Sequence, residues 1–299
     1  MDGIINVYKP AGISSFSCVK KVSRLLQEKK AGHGGTLDPE ATGILPIFLG
    51  KATKLADFMH EYDKSYRAGF LLGKITDSCD IWGKTLNEVD SKELDNITKE
   101  QVEAALMSFV GECTQIPPIY SAIKIGGVPA YKLARAGKEI DIRSRKVNIF
   151  TIKLLSYDCE NYKGEFDISC SKGTYIRSVC NDLGEKLGVG ACMCSLERTE
   201  YGPFNVVNSV CADHAAEENV LPCDCLLGKY PMAELTEDEA RKYASGAYKI
   251  IDLMRINISD NMSGEYLRLY NKGCFFALAK AQYDEDKQVV ELTPFKFFG

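Results

Sequence analysis

Residues 31–50, AGHGGTLDPEATGILPIFLG, constrain this chain more than any other stretch. Gly32, Gly34, Gly35 and Gly43 permit left-handed backbone or close approach of a ligand. Beside them stand one imidazole, His33, and one carboxylate, Asp38. Pro39 disfavours the helical region for the residue before it, so Asp38 is expected extended on a stiff loop. The apolar run 44–49 then bounds that loop with a short buried element, a strand or a packed turn. Loops presented by such scaffolds carry binding and catalytic side chains. Taken singly, the glycines and the Asp-Pro pair are turn signals. In an extended segment Asp38 and Glu40 would share a face roughly 7 Å apart, a separation usable by a glycosidase pair. A glycoside-cleaving chemistry is therefore open at this point.

Length and composition set the frame. At 299 residues, 45% apolar and 26% charged, the chain suits a folded protein of two domains. The N-terminus lacks a basic segment followed by an apolar run, and no long apolar span occurs, so a cytoplasmic location with no membrane contact is expected. Twelve cysteines are too few for a small disulfide scaffold, and Cys192/Cys194 and Cys223/Cys225 are spaced too closely for usual zinc ligand pairs. Reduced thiols and no metal are expected. The net charge of −4 is unevenly spread: residues 1–75 carry +4 and residues 131–200 carry +2, with acid elsewhere. Positive charge in the segments around the central loop suits phosphate contacts, although solvated helix faces would look the same.

Further along the chain, Ser14 or Ser15 caps a helix with Phe16, Val19, Val22 and Leu26 on its apolar face. Alternation of Tyr66, Ala68, Phe70 and Leu72 against Arg67, Gly69 and Leu71 reads as a strand. The acidic stretch 77–95 reads as a connection. Thr98 and Gln101 form a capping box for a helix with Val102, Ala105, Leu106 and Phe109 inward. Residues 115–135 carry Pro117-Pro118, Gly126-Gly127 and Pro129 and cannot be regular throughout. Tyr120, Lys124, Tyr131, Lys132 and Arg135 there suit stacking and phosphate contact with RNA, or a merely exposed loop. Two strands follow at 147–155 and 165–171, then a Lys172-Gly173-Thr174 turn into a helix ending at Gly188. Arg177 in that helix's first turn opposes the dipole and calls for a compensating carboxylate. Thr236 and Glu239 cap another helix, and strand-like runs at 266–270, 274–281 and 288–298 close the chain.

GHGGTLDPEATGILPI resembles the nucleophile motif of the TruB family, bacterial tRNA pseudouridine-55 synthases. The resemblance continues through INVYKPAGISS (5–15), KSYRAGFLLGKITDSCDIWG (64–83), QIPPIYSAIKIGGVPAYKLAR (115–135) and CSKGTYIRSVCNDLGEKLG (170–188). Five blocks in the family's order cover most of the first two-thirds of the chain. The resemblance implies an α+β fold whose catalytic domain, 1–228, has a mixed, largely antiparallel sheet flanked by helices and an RNA-clasping insertion at about 112–140. A β-rich PUA-like RNA-binding domain at 229–299 would follow. It implies Asp38 as nucleophile paired with Arg177, Tyr66 as the active-site tyrosine, Tyr175 and Leu196 lining a base pocket, and His33 in RNA binding. Lys9 lies in the Lys-Pro block that borders the family's site, with a structural or RNA role. The implied reaction isomerises uridine-55 in the tRNA T-arm after base flipping, without cofactor, metal or obligate protein partner, in a monomer. A glycosidase using Asp38 and Glu40, or a non-catalytic tRNA-binding protein, is the alternative.

Overall fold

The structure, a computed structural model, describes residues 1–121, 123–138, 140–257, 265–284 and 286–298. Ala122 and Glu139, both in the expected clasp, lie outside the described residues. Most of the chain before residue 222 organises around an eleven-stranded mixed sheet. Along its main path stand Val210–Cys211, Gly3–Lys9, Thr42–Leu49, Ala191–Tyr201, Lys64–Leu72, Lys163–Cys170, Arg145–Asp158 and Gly111–Gln115. Two of these junctions are parallel, Gly3–Lys9 with Val210–Cys211 and Thr42–Leu49 with Ala191–Tyr201. The others are antiparallel.

The continuous apolar run of Thr42–Leu49 is explained by burial on both faces. Leu45, Ile47 and Leu49 enter the core beneath the helices, while Ile44 and Phe48 enter a second core on the opposite face. Lys64–Leu72 alternates instead, with Tyr66, Ala68, Phe70 and Leu72 buried and Arg67 exposed. Ser14 caps helix Ser15–Leu25 by accepting from Ser17 N. Its buried stripe is Ser15, Cys18, Val19 and Val22, and Phe16, expected inward, is 62% exposed. Phe16 sits one position, about 100°, off that stripe, and Lys20 lies over its ring instead. The expected capping box at Thr98 and Gln101 begins helix Lys99–Met107. Phe109 lies past that helix and packs only partly buried against the core. Helix Ile176–Leu187 ends on left-handed Gly188, φ +76°.

A six-stranded sheet forms the C-terminal part, in the order Ile250–Asp252, Val289–Phe297, Cys274–Asp284, Tyr266–Asn271, Met232–Glu234, Ile256–Asn257. Helix Glu237–Ala244 packs on it behind a Thr236–Glu239 capping box. An aromatic cluster joins this part to the larger sheet: Phe58 meets Tyr266 edge-on at 5.5 Å, and Tyr266 meets Tyr230 at 5.2 Å. Ile44, Phe48 and Phe58 share one apolar cluster with Leu278 and Phe298. The fold is thus α+β with a small β-rich C-terminal unit. Among the described residues, no helix is long and apolar enough to cross a membrane.

Candidate active site

The glycine-rich loop is held from two sides. From below, Ser15 Oγ donates to Leu37 O and accepts from Leu37 N, at 3.0 and 2.9 Å. Lys9 is fully buried, and its Nζ donates to the carbonyls of Pro10, Ile13 and Pro39 at 2.8, 2.9 and 2.9 Å. All three ammonium protons are engaged, so Lys9 ties the Lys-Pro turn to the Asp-Pro turn beneath the site. From the sheet, Arg198 donates through Nε to Ile44 O at 2.7 Å and through Nη2 to Gly35 O at 3.1 Å. Tyr201 donates to Gly34 O at 2.8 Å. Gly43 is indispensable here: its φ is +100°, and a Cβ would collide with the Arg198 backbone.

Asp38 does not continue an extended segment. Ala41 N donates to Asp38 O at 3.1 Å, closing a turn over residues 38–41. The turn removes the shared face on which Asp38 and Glu40 would have formed a pair. Glu40 is exposed and absent from the pocket wall, which removes the geometric basis for the glycosidase alternative. The pocket itself, about 110 Å³, is lined by Thr36, Leu37, Asp38, Tyr66, Leu196 and residues 174–177. That is small beside the roughly 300–1,000 Å³ of drug-sized sites, and it suits one flat ring rather than a whole nucleotide.

Arg177 is the centre of the charge arrangement. Its side chain is only 6% exposed, and its Nε lies 3.1 Å from Asp38 Oδ2. Nη1 reaches Ser78 O at 3.2 Å and Asp80 Oδ2 at 3.4 Å, and Nη2 donates to Tyr120 O at 2.9 Å. The Asp38 side chain stays 43% exposed because the pocket opens above it, yet protein surrounds it elsewhere. Burial therefore raises its pKa; Arg177 and Lys9 oppose the rise and Asp80 adds to it.

Tyr66 and Leu196 come from adjacent strands, with Leu196 opposite Ala68 and Arg198 opposite Tyr66. Burial pushes the Tyr66 hydroxyl up to about 12, against the nearby Arg198 guanidinium, so it stands protonated at neutral pH. Tyr175 is clamped at its backbone by Gln115, which accepts from Tyr175 N at 2.7 Å and donates to Tyr175 O at 2.9 Å. His33 lies on the short strand Ala31–His33 and does not line the pocket. Its Nδ1 is buried with no hydrogen-bond partner among the described residues, and burial with Arg198 and His60 nearby lowers its pKa.

Two residues of this arrangement are not singled out by the sequence reading. Asp80 lies in the acidic stretch read as a connection, where a Lys74–Thr76/Thr85–Glu88 hairpin turns its tip toward Arg177. For Arg198 the one signal in the sequence is its period-two spacing from Leu196 on one strand. Among the described residues no group of acids, histidines and cysteines is placed to hold a metal ion.

Comparison with known proteins supplies the family. Residues 23–176 match the TruB family pseudouridylate synthase N-terminal domain, and residues 177–221 match the tRNA pseudouridylate synthase B C-terminal domain. Proteins named tRNA pseudouridine synthase B are similar over nearly the whole chain. The Clostridium tetani protein is 43% identical, covering 94% of this chain and 96% of that one. The Clostridium acetobutylicum protein is 45% identical, covering 91% and 92%. In the crystal structure of a Cbf5-Nop10-Gar1 complex, one chain has the same fold: TM-score 0.71 and 24% identity, covering 99% of this chain and 85% of that one. With its sheet, its Asp38 loop and the Arg177 helix all falling within these matches, the chain belongs to the TruB family of pseudouridylate synthases, which are isomerases.

Proposed function

We propose that this protein isomerises uridine-55 in the T-loop of tRNA to pseudouridine, with Asp38 as the essential carboxylate. The observation that carries this reading is the ion pair at the pocket floor: Asp38 held 3.1 Å from a buried arginine, facing a cavity of one-ring size walled by Tyr66, Tyr175 and Leu196. The names of the relatives, which specify tRNA, support the substrate.

The reaction breaks the bond from uracil N1 to ribose C1′, turns the base, and joins C5 to C1′. The C5 proton leaves and N1 gains one, so nothing is oxidised or reduced. A stacked uracil must first leave the RNA loop, at a cost of a few kcal/mol. Asp38 serves as an anion, either as the nucleophile or facing positive charge at C1′, and Arg177 favours that ionised state while fixing its direction. Tyr66 stacks on the base. A role as base for the C5 proton is harder for a phenol pushed up to about 12, and a Tyr66→Phe variant with intact turnover would exclude it. His33, at the end of the short strand before the loop and with a ring nitrogen that has no partner among the described residues, contacts displaced RNA. Lys9 acts from beneath, through the loop. Residues 1–228 are taken as the catalytic unit, and 229–299 as a PUA-like unit that adds RNA affinity. The protein is taken to work as a cytoplasmic monomer.

The test uses tRNA carrying tritium at uracil C5, mixed with wild type or Asp38→Asn. Tritium release by wild type alone, at unchanged RNA mass and mapping to position 55, is the expected result. Release of free uracil, or tight binding with no release, would overturn the reading.

A further inference from the structure

Most cations around the pocket are engaged. Arg177 meets two carboxylates, Arg67 pairs with Asp167 at 3.0 Å, Arg198 donates to two carbonyls, and Lys9 donates to three. Three others differ. Among the described residues, Lys64, Lys172 and Arg145 have no ion pair and no side-chain hydrogen bond, and Arg145 Nε and Nη2 are buried without an acceptor. A buried donor left unmet is costly, so a protein keeps one where something else supplies the acceptor.

These three residues lie together at one end of the sheet. Lys64 begins the strand that carries Tyr66, pointing to the same face two residues earlier, with its Nζ 4.6 Å over the Tyr201 ring. Its backbone pairs with Cys170, and Lys172 follows two residues beyond Cys170, close enough for its charge to act on Lys64. Gly173, left-handed at φ +87°, then packs beside the Arg145 guanidinium. Arg145 in turn stacks 4.6 Å over the ring of Tyr175, a wall of the base pocket. The row therefore runs from the strand of one pocket residue to the ring of another, across three neighbouring strands of the sheet. At its Lys64 end it opens into a second cavity of about 520 Å³, lined also by Asp63, Ser65, Ser169, Glu200 and Lys229. Of the other charged side chains there, Glu200 accepts from Ser65 and Lys229 pairs with Glu61.

We propose that Lys64, Lys172 and Arg145 form a track for the RNA phosphodiester backbone beside the flipped nucleotide, with Arg145 also holding the Tyr175 ring against the base. This assignment rests on the pseudouridine synthase reading and goes beyond it by naming where the backbone runs. Burial draws the Lys64 pKa down to about 8, the state of an ammonium that still lacks its anion. A phosphate supplies that anion.

The test measures affinity of the full-length protein for T-stem-loop RNA across a salt series. Each phosphate contact to unpaired RNA adds about 0.7 to the slope of log affinity against log salt. Lys64→Gln, Lys172→Gln and Arg145→Gln are each expected to lower the slope by about 0.7 and the affinity by about fivefold at ~0.1 M salt. Lys64→Arg and Lys172→Arg restore both, and Lys99→Gln, exposed and outside both cavities, changes neither. Lys172 is exposed, so its variant folds even if an Arg145 variant does not. Slopes equal to wild type, whatever the affinity, overturn the track. A wild type that binds tRNA but releases no tritium overturns the functional reading instead, while the slopes still test the track.

Discussion

At the scale of single residues, one guanidinium sets the behaviour of the site. Arg177 holds Asp38 from one nitrogen while Ser78, Asp80 and Tyr120 occupy the others, and a lysine cannot reproduce that fork. Arg177→Lys is therefore expected to keep the charge yet lose about 100-fold in kcat, the scale of an ångström's misplacement, read by single-turnover tritium release. The pH profile follows from the direction of the Asp38 shift. In the proposed reaction Asp38 works ionised, and burial raises its pKa. The acid limb of kcat/KM should then lie above the ordinary carboxylate value of about 4, with activity lost as pH falls through it. Arg177→Gln removes the main force opposing the rise, so the limb should move further up; a limb that moves down would contradict the assignment. Asp38 and Arg177 were each legible because short local rules mark them, a carboxylate before proline and a cation where a helix dipole disfavours one, while their pairing was implied by the family resemblance. Asp80 had no such rule of its own inside an acidic stretch, and Arg198 had only its period-two spacing from Leu196; the partners that give them meaning lie 97 and 154 residues away.

At the scale of elements, local chemistry was readable wherever it was self-contained. Both expected capping boxes form, and Thr98→Ala should cost about 1 kcal/mol in denaturant unfolding. The alternation of Lys64–Leu72 fixed which face is buried. The 77–95 stretch was opaque for the converse reason: its hairpin has little apolar surface and is ordered by contacts such as Ile81 N to Met193 O at 2.8 Å. Gly43 shows both sides of this. Its presence was plain in the motif, but its necessity arises from the Arg198 backbone running alongside. Gly43→Ala joins left-handed strain to a steric clash, so a loss of more than about 2 kcal/mol is expected, measured by the midpoint shift in urea.

At the scale of the whole molecule, the β-rich C-terminal unit is fastened through Phe58, Tyr230, Tyr266 and Phe298 to the same apolar cluster that backs the active-site strand Thr42–Leu49. Phe58→Ala should cost about 3–5 kcal/mol, and heating the wild type should give one cooperative transition; two separated transitions would show the units to be independent. The sheet order carries a further consequence, for the order in which the chain is made. Ala191–Tyr201 is inserted between Thr42–Leu49 and Lys64–Leu72, so two strands synthesised early have to wait, unpaired along their facing edges, for one that emerges more than a hundred residues later. Waiting edges of this kind invite pairing with other chains. A ribosome making this protein thus holds an unfinished sheet with its centre missing, and the pocket comes into being only when the last wall, Leu196, is threaded into that gap.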